Sequence, residues 1–488
     1  MLLKQSRCLP LARSSGLALL WVAASCQSSS GGPLAFHPYR FVSSEGRRVP
    51  AELAYLRVPE NREGKPSRTI ELAVLRFPST GPRQADPIVY LAGGPGASAL
   101  EHARGARFPA FMALRAAGDV IVFEQRGAGI SRPNLSCPER VGSPLDQPAT
   151  RESVTRLFRV AAAACAAYWR RRGVDLAGYN VRESADDLEA LRVALGVPHL
   201  VLWGVSYGSH LGLTTLRRHP GLASRAIFAG VVGPDDTWPL PSAIDRRFGP
   251  VAALGRTAGF LSVVARLDSQ PVVVRLRSAG RAERDSVSLT IGGDDFRGAI
   301  TGALLDPKRA ATVPALIDAA VRGDYQALAP GMLQTRTPRS IGSAMAYATA
   351  CASGASVARR HRAALEALHS VLAPYPNLAE ANCDVWGAGD LGEDFRQTVR
   401  SDVPTLLISG SLDDTTPYEN TAAVLQGLSR GEELILEGAR HGNDLVVGSP
   451  EIAERMLEFL QGRPLKVRRL TLSGAALNQP PGASLPQP

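Results

Sequence analysis

The stretch "HLVLWGVSYGSHLGLTTLRRHP", residues 199–220, decides how the chain reads. Its opening run is apolar and β-prone, its second half carries a helical pattern, and Ser206 stands at the junction between Gly204 and Gly208. A serine on such a strand-to-helix turn presents its hydroxyl at the top of a sheet, because the flanking glycines leave the space that side chains would fill. Ser206 is therefore the candidate nucleophile.

Working outward, short apolar runs at 69–77, 86–92, 119–124, 199–204 and 225–232 alternate with helical segments. One helix is expected from Ser184, read as its N-cap with Asp187 three residues on, through leucines 188, 191 and 195 to a stop at Gly196. This alternation predicts an α/β fold with a mostly parallel sheet flanked by helices, ligands binding beyond the C-terminal strand ends. After "GPDDTWPLP" (233–241) the chain turns Ala/Arg-rich and mainly helical, until "PTLLISG" (404–410) and "EELILEG" (432–438) restore the strand pattern. The expected organisation is a core over 49–240 and 401–470, with a helical cap over 241–400 inserted between the two parts.

A serine hydroxyl needs a base, and the base an orienting carboxylate. In this topology both follow the serine, on loops after C-terminal strands. "SGSLDDTTP" places Asp413 just past a strand, with Asp414 as the competing acid, and "EGARHGND" places His441 past the next one. The remaining seven of the eight histidines precede that acid. His210, four residues after Ser206, is read as a packing residue. The oxyanion formed on attack calls for two backbone donors, and the amide of Tyr207 and that of Gly94, in "YLAGGPGAS" (90–98), are the candidates. The chemistry needs no metal and no organic cofactor.

With 488 residues, 45% hydrophobic and 20% charged, the composition excludes a disordered chain and a multi-span membrane protein. The net charge of +10 comes from arginines scattered along the chain with no nucleic-acid-binding motif, so no nucleic-acid partner is expected. Lys4, Arg7 and Arg13 precede an apolar run at 16–25, which reads as a signal peptide over 1–25. The run ends in "AASC", which resembles a bacterial lipoprotein signal and makes Cys26 the candidate for lipidation and membrane attachment, with ordinary cleavage and secretion as the alternative. Residues 26–48 are expected to be a flexible tether and 471–488 a disordered tail. Cys137, Cys165, Cys351 and Cys383 form an even set in a chain that leaves the cytosol; of three pairings, proximity favours 137 with 165 and 351 with 383.

"GGPG", "EQRGAGISRP" (124–133), "GVSYGSHL", "SGSLDDTTP" and "GARHG" together resemble the α/β-hydrolase serine peptidases of the proline iminopeptidase and tripeptidyl aminopeptidase type, over about residues 50 to 465. The resemblance implies an α/β-hydrolase fold with a cap over the active site and a triad of Ser206, Asp413 and His441. It also implies hydrolysis of short peptides from a free amino end, with acidic side chains binding the substrate's ammonium group. Two positions depart from the family. Glu124 replaces its usual Asp, in a segment read as structural with Arg126 in an internal ion pair. Ser353 stands where relatives carry a glutamate two residues after the cap cysteine, leaving Asp294, Asp295 and Glu380 as the cap acids that could hold an amine. An esterase or amidase acting on small molecules is the nearest rival, since the same triad serves both; an inactive binding protein on the same fold is the more distant one.

Overall fold

The computed structural model describes residues 34–63, 67–276, 286–374 and 380–472. The expected leader 1–25, Cys26 and the tail from 473 onward lie outside the described residues. Ten strands build the main sheet: β1 (His37–Val42), β2 (Arg48–Pro59), β3 (Thr69–Phe77), β4 (Ile88–Leu91), β5 (Val120–Phe123), β6 (Leu200–Val205), β7 (Ala223–Ala229), β8 (Thr405–Gly410), β9 (Gly431–Glu437) and β10 (Arg469–Thr471). They lie in the order β1-β2-β3-β5-β4-β6-β7-β8-β9-β10. All neighbours from β5 to β10 are parallel, and β1, β2 and β3 extend the sheet as an antiparallel meander. Because β4 and β6 are adjacent, the glycine-rich loop after one and the serine turn after the other emerge side by side.

Side chains alternate across each strand, so one sequence run feeds two apolar layers. Ile88 and Tyr90 of β4 face helices α1 (Ala99–Arg104), α2 (Phe108–Leu114) and α11 (Pro450–Leu460), whereas Val89 and Leu91 face α4 (Val181–Leu195) and α5 (Tyr207–Arg218). The central strands are buried on both faces, which is why they read as continuous apolar runs.

Among the described residues, the cap has two apolar centres. One joins α6 (Thr257–Ser269), α7 (Gly293–Leu304) and α8 (Val313–Val321) around Phe260 and Phe296. The other joins α3 (Arg151–Arg171), which belongs to the core's N-terminal part in sequence, to α9 (Ala344–Ser353) and the fully buried Trp386. Disulfides Cys137–Cys165 and Cys351–Cys383 lie at this second centre, in the pairing that proximity favours. A short antiparallel pair, Arg140–Val141 with Arg339–Ser340, stitches the two stretches together.

Four expectations change. The proposed tether gives way at His37 to β1, which pairs with β2 from His37 opposite Leu53 to Val42 opposite Arg48, and its Phe41 is sealed between Phe77 and Phe108. The cap, expected to be mainly helical over 241–400, also contains a hairpin of Val272–Leu276 and Val287–Ile291, and it recruits residues 135–179 from outside those bounds. The helix read as starting at Ser184 starts at Val181 instead. Asn180 is its cap, accepting from the amide of Glu183, while the Ser184 hydroxyl donates back to the Asn180 carbonyl from inside the helix. Asp187 therefore closes no capping box; it is the buried partner of Arg126.

Candidate active site

The turn between β6 and α5 holds Ser206 at φ 57° and ψ −125°, the single non-glycine residue with positive φ among those described. The Ser206 amide donates to the Ala229 carbonyl and the Ser206 carbonyl accepts from the Ser209 amide and hydroxyl, so this costly conformation is fixed from both sides. Both glycines of the motif are demanded by packing. A Cβ on Gly204 would sit 2.4 Å from the Gly208 carbonyl oxygen, and one on Gly208 2.0 Å from the Leu91 carbonyl oxygen. The turn thus nests against the end of β4.

His441, on the loop after β9, reaches Ser206 Oγ with Nε2 at 3.1 Å and Asp413 Oδ2 with Nδ1 at 2.8 Å. A carboxylate only accepts, so Nδ1 carries the proton toward Asp413 and Nε2 is free to accept from the serine hydroxyl. Asp413 lies at the end of β8 and is only 5% exposed. Its Oδ1 accepts from the amides of Thr415 and Thr416, and its Oδ2 also accepts from the Thr416 hydroxyl at 2.6 Å. Thr416 Oγ1 lies 3.1 Å from His441 Nδ1, a contact no sequence motif announces. The competing acid, Asp414, turns away to pair with Arg247 of the cap at 2.7 Å.

The loop 93–98 closes the other side. A Cβ on Gly93 would fall 3.1 Å from Ser206 Cβ, which puts this loop directly over the nucleophile. Gly94, at φ 113°, is exposed at its crest. Three consecutive residues of the "EQRG" segment hold the surroundings. Glu124 accepts from the Ser98 hydroxyl and the amides of Ala99 and Leu100 at the start of α1, bonds that oppose the upward push of burial on its carboxyl. Gln125 donates to the Ala92 carbonyl, and Arg126, fully buried, pairs with Asp187 at 2.6 Å and with Glu183 at 3.3 Å. From above, α9 of the cap reaches the loop: a Cβ on Gly96 would meet Ala346 Cβ at 3.3 Å.

The cap acids sit elsewhere. Asp294 accepts from the Arg151 amide and pairs with Arg297, and Asp295 is locked to Arg336 while accepting from the amides of Gly292 and Ala149. Both belong to the cap's own scaffold. Glu380, half-buried just before Cys383, faces the charge of Arg360, and burial pushes its carboxyl above the usual range. Ser353 points its hydroxyl at His210 Nε2, 3.1 Å away, while His210 Nδ1 meets the Gly233 carbonyl; burial drives this imidazole down to about 4, so it is neutral near pH 7.

Residues 86–267 match the family described as alpha/beta hydrolase fold, and residues 370–467 match TAP-like protein. The chain has the α/β-hydrolase fold. This α/β-hydrolase is 27% identical to the tripeptidyl aminopeptidase of Streptomyces coelicolor over 475 residues, spanning 88% of this chain and 84% of that one. It is 32% identical to a probable proline iminopeptidase of the same organism, over 30% of this chain and 32% of that one. It is 28% identical to the serine protease Hip1 of Mycobacterium tuberculosis, over 42% of this chain and 41% of that one. With these serine peptidases as relatives, the α/β-hydrolase is an enzyme of the serine hydrolase class.

Proposed function

We propose that this serine hydrolase cleaves short peptides near a free N-terminus through an acyl-enzyme. Ser206 attacks the carbonyl carbon, His441 takes the hydroxyl proton and returns it to the leaving amine, and Asp413 holds the imidazole in the productive tautomer. The amides of Gly94 and Tyr207 stabilise the oxyanion, each worth on the order of 3 kcal/mol in the barrier. Water then repeats the sequence on the acyl-serine and releases the product. The observation that carries this reading is the unbroken chain of contacts from Ser206 Oγ through His441 to Asp413. Similarity to a tripeptidyl aminopeptidase along most of both chains supports the peptide substrate.

One observation favours the rival esterase or amidase reading: Ser353 replaces an expected acid and is bonded to His210, and Asp294 and Asp295 are bound into the cap. Peptide anilides with free and blocked amino ends, compared with simple aryl esters, separate the two. Turnover at least ten times faster on the free-amine peptides is expected; equal turnover of free and blocked peptides would remove the aminopeptidase claim. For location, the two disulfides fit an oxidising, extracytoplasmic compartment. Acylation of Cys26 would anchor the enzyme there, and mass spectrometry of the mature N-terminus distinguishes an acylated cysteine from a freely cleaved end.

A further inference from the structure

Arg107, in the turn between α1 and α2, is 8% exposed, and among the described residues no carboxylate pairs with it. A guanidinium held in the interior without a counter-ion is costly, so the bonds it makes instead point to its use. Its NH1 donates to the Tyr90 hydroxyl at 2.5 Å, and that hydroxyl lies 2.9 Å from His102 Nδ1. His102 is held down to about 4 by burial and by Arg107, which leaves Nδ1 a neutral acceptor for the Tyr90 proton. On its other edge, Arg107 Nε donates to Asn443 Oδ1 at 3.0 Å.

The two ends of this bridge belong to different halves of the site. Tyr90 is on β4, three residues before Gly93, so it lies on the strand that feeds the glycine-rich loop. Asn443 is two residues after His441. It occupies the N-cap position of α10 (Asp444–Val447) and its carbonyl accepts from the amides of Val446 and Val447, yet its side chain makes no cap bond and goes to Arg107. The His441 loop has other ties: the Arg440 amide donates to Asp444 and the Gly438 amide to the Ser411 hydroxyl. Both of those are internal to the C-terminal part of the core, whereas Arg107 reaches across 336 positions of sequence to the other half.

We propose that Arg107 is a positioning residue for the base: through Asn443 it fixes the His441 loop against β4, so that the imidazole stays within reach of Ser206. The inference rests on the triad reading above. A shift of the imidazole of about 1 Å lowers the rate by up to 100-fold without changing the groups that bind substrate. Removing the bridge is therefore expected to act on kcat and leave KM nearly unchanged.

The test uses four variants of the full-length enzyme and a peptide anilide, with each rate expressed per folded molecule as counted by circular dichroism. Asn443→Ala is expected to lower kcat at least 10-fold with KM within twofold. Asn443→Asp keeps an acceptor for Arg107 Nε and is expected to stay within threefold of wild type. Arg107→Lys keeps the charge but cannot reach Tyr90 and Asn443 together, so it should fall with the alanine variant; it also serves if Asn443→Ala does not fold. Equal losses in Asn443→Ala and Asn443→Asp, a change in KM alone, or kcat within twofold of wild type in both Asn443→Ala and Arg107→Lys would overturn the proposal. Ser206→Ala separates the two levels: if it retains turnover, the triad reading fails, and if it alone abolishes turnover, only the bridge fails.

Discussion

Asp413 and Asp414 are neighbours in sequence with different partners, and the difference lies in what each oxygen meets. Asp413 presents Oδ2 to the imidazole while two amides and a hydroxyl hold it still, whereas Asp414 closes on Arg247 at the edge of the cap. Asp413→Asn keeps the shape but can offer an NH2 to Nδ1, which favours the wrong tautomer, so kcat should fall about 10³- to 10⁴-fold. Asp414→Asn is expected to change kcat less than threefold, and steady-state turnover of the two variants side by side measures the contrast. That Ser206, His441 and Asp413 meet was legible because chemistry constrains such a set tightly: a G-x-S-x-G at a strand end, one histidine after the last acid-bearing loop, and a fixed chain order. Thr416, Arg107 and Asn443 were not legible. A hydroxyl that steadies a carboxylate, or an arginine bonded to an asparagine 336 positions away, leaves no local pattern in the sequence.

Among the elements, the junction of β6 and α5 packs closely on the sheet, since Gly208 lets the first turn of α5 approach the Leu91 carbonyl on β4. Gly208→Ala would drive a methyl group into backbone that cannot swing aside, which is expected to cost on the order of 3 kcal/mol and to displace Ser206. A lower urea midpoint together with loss of fluorophosphonate labelling reports it; an alanine variant that labels at the wild-type rate would contradict the packing argument. Element boundaries were harder to read than elements. Ser184 and Asp187 mimic a capping box, but Asn180 lies one turn earlier and its side chain caps the helix, while Asp187 is buried against Arg126 instead of reaching back to Ser184. The cap hairpin was hidden by its surroundings. "VVVRL" and "VSLTI" carry β-branched residues typical of strands, yet they sit in an Ala/Arg-rich region whose helices dominate the pattern. Strand β1 was missed for a related reason: six residues beside a Ser/Gly-rich stretch have too little periodicity to stand out, and only pairing with β2 orders them.

For the molecule as a whole, one half-buried and one fully buried imidazole, those of His102 and His210, tie stability to pH. His102 and His210 both have folded-state values near 4 against an ordinary 6.5, so between about pH 6.5 and 4 the unfolded chain binds protons that the folded one refuses. Stability therefore falls as pH drops through that window, by up to about 1.4 kcal/mol per pH unit for each group, and the loss levels off below pH 4. The difference in urea midpoint between wild type and His210→Gln isolates one of them; it should narrow from pH 7 to pH 4.5, and a constant difference would mean that His210 is not a neutral buried group. The chain folds its cap from two separated stretches, 135–179 and the insert after Pro241, each with its own disulfide at their shared apolar centre. Such a roof is no cassette. Exchanging residues 241–400 for those of a relative would leave α3 presenting a bare apolar flank to a newcomer never shaped to cover it, so a working graft has to carry both segments together.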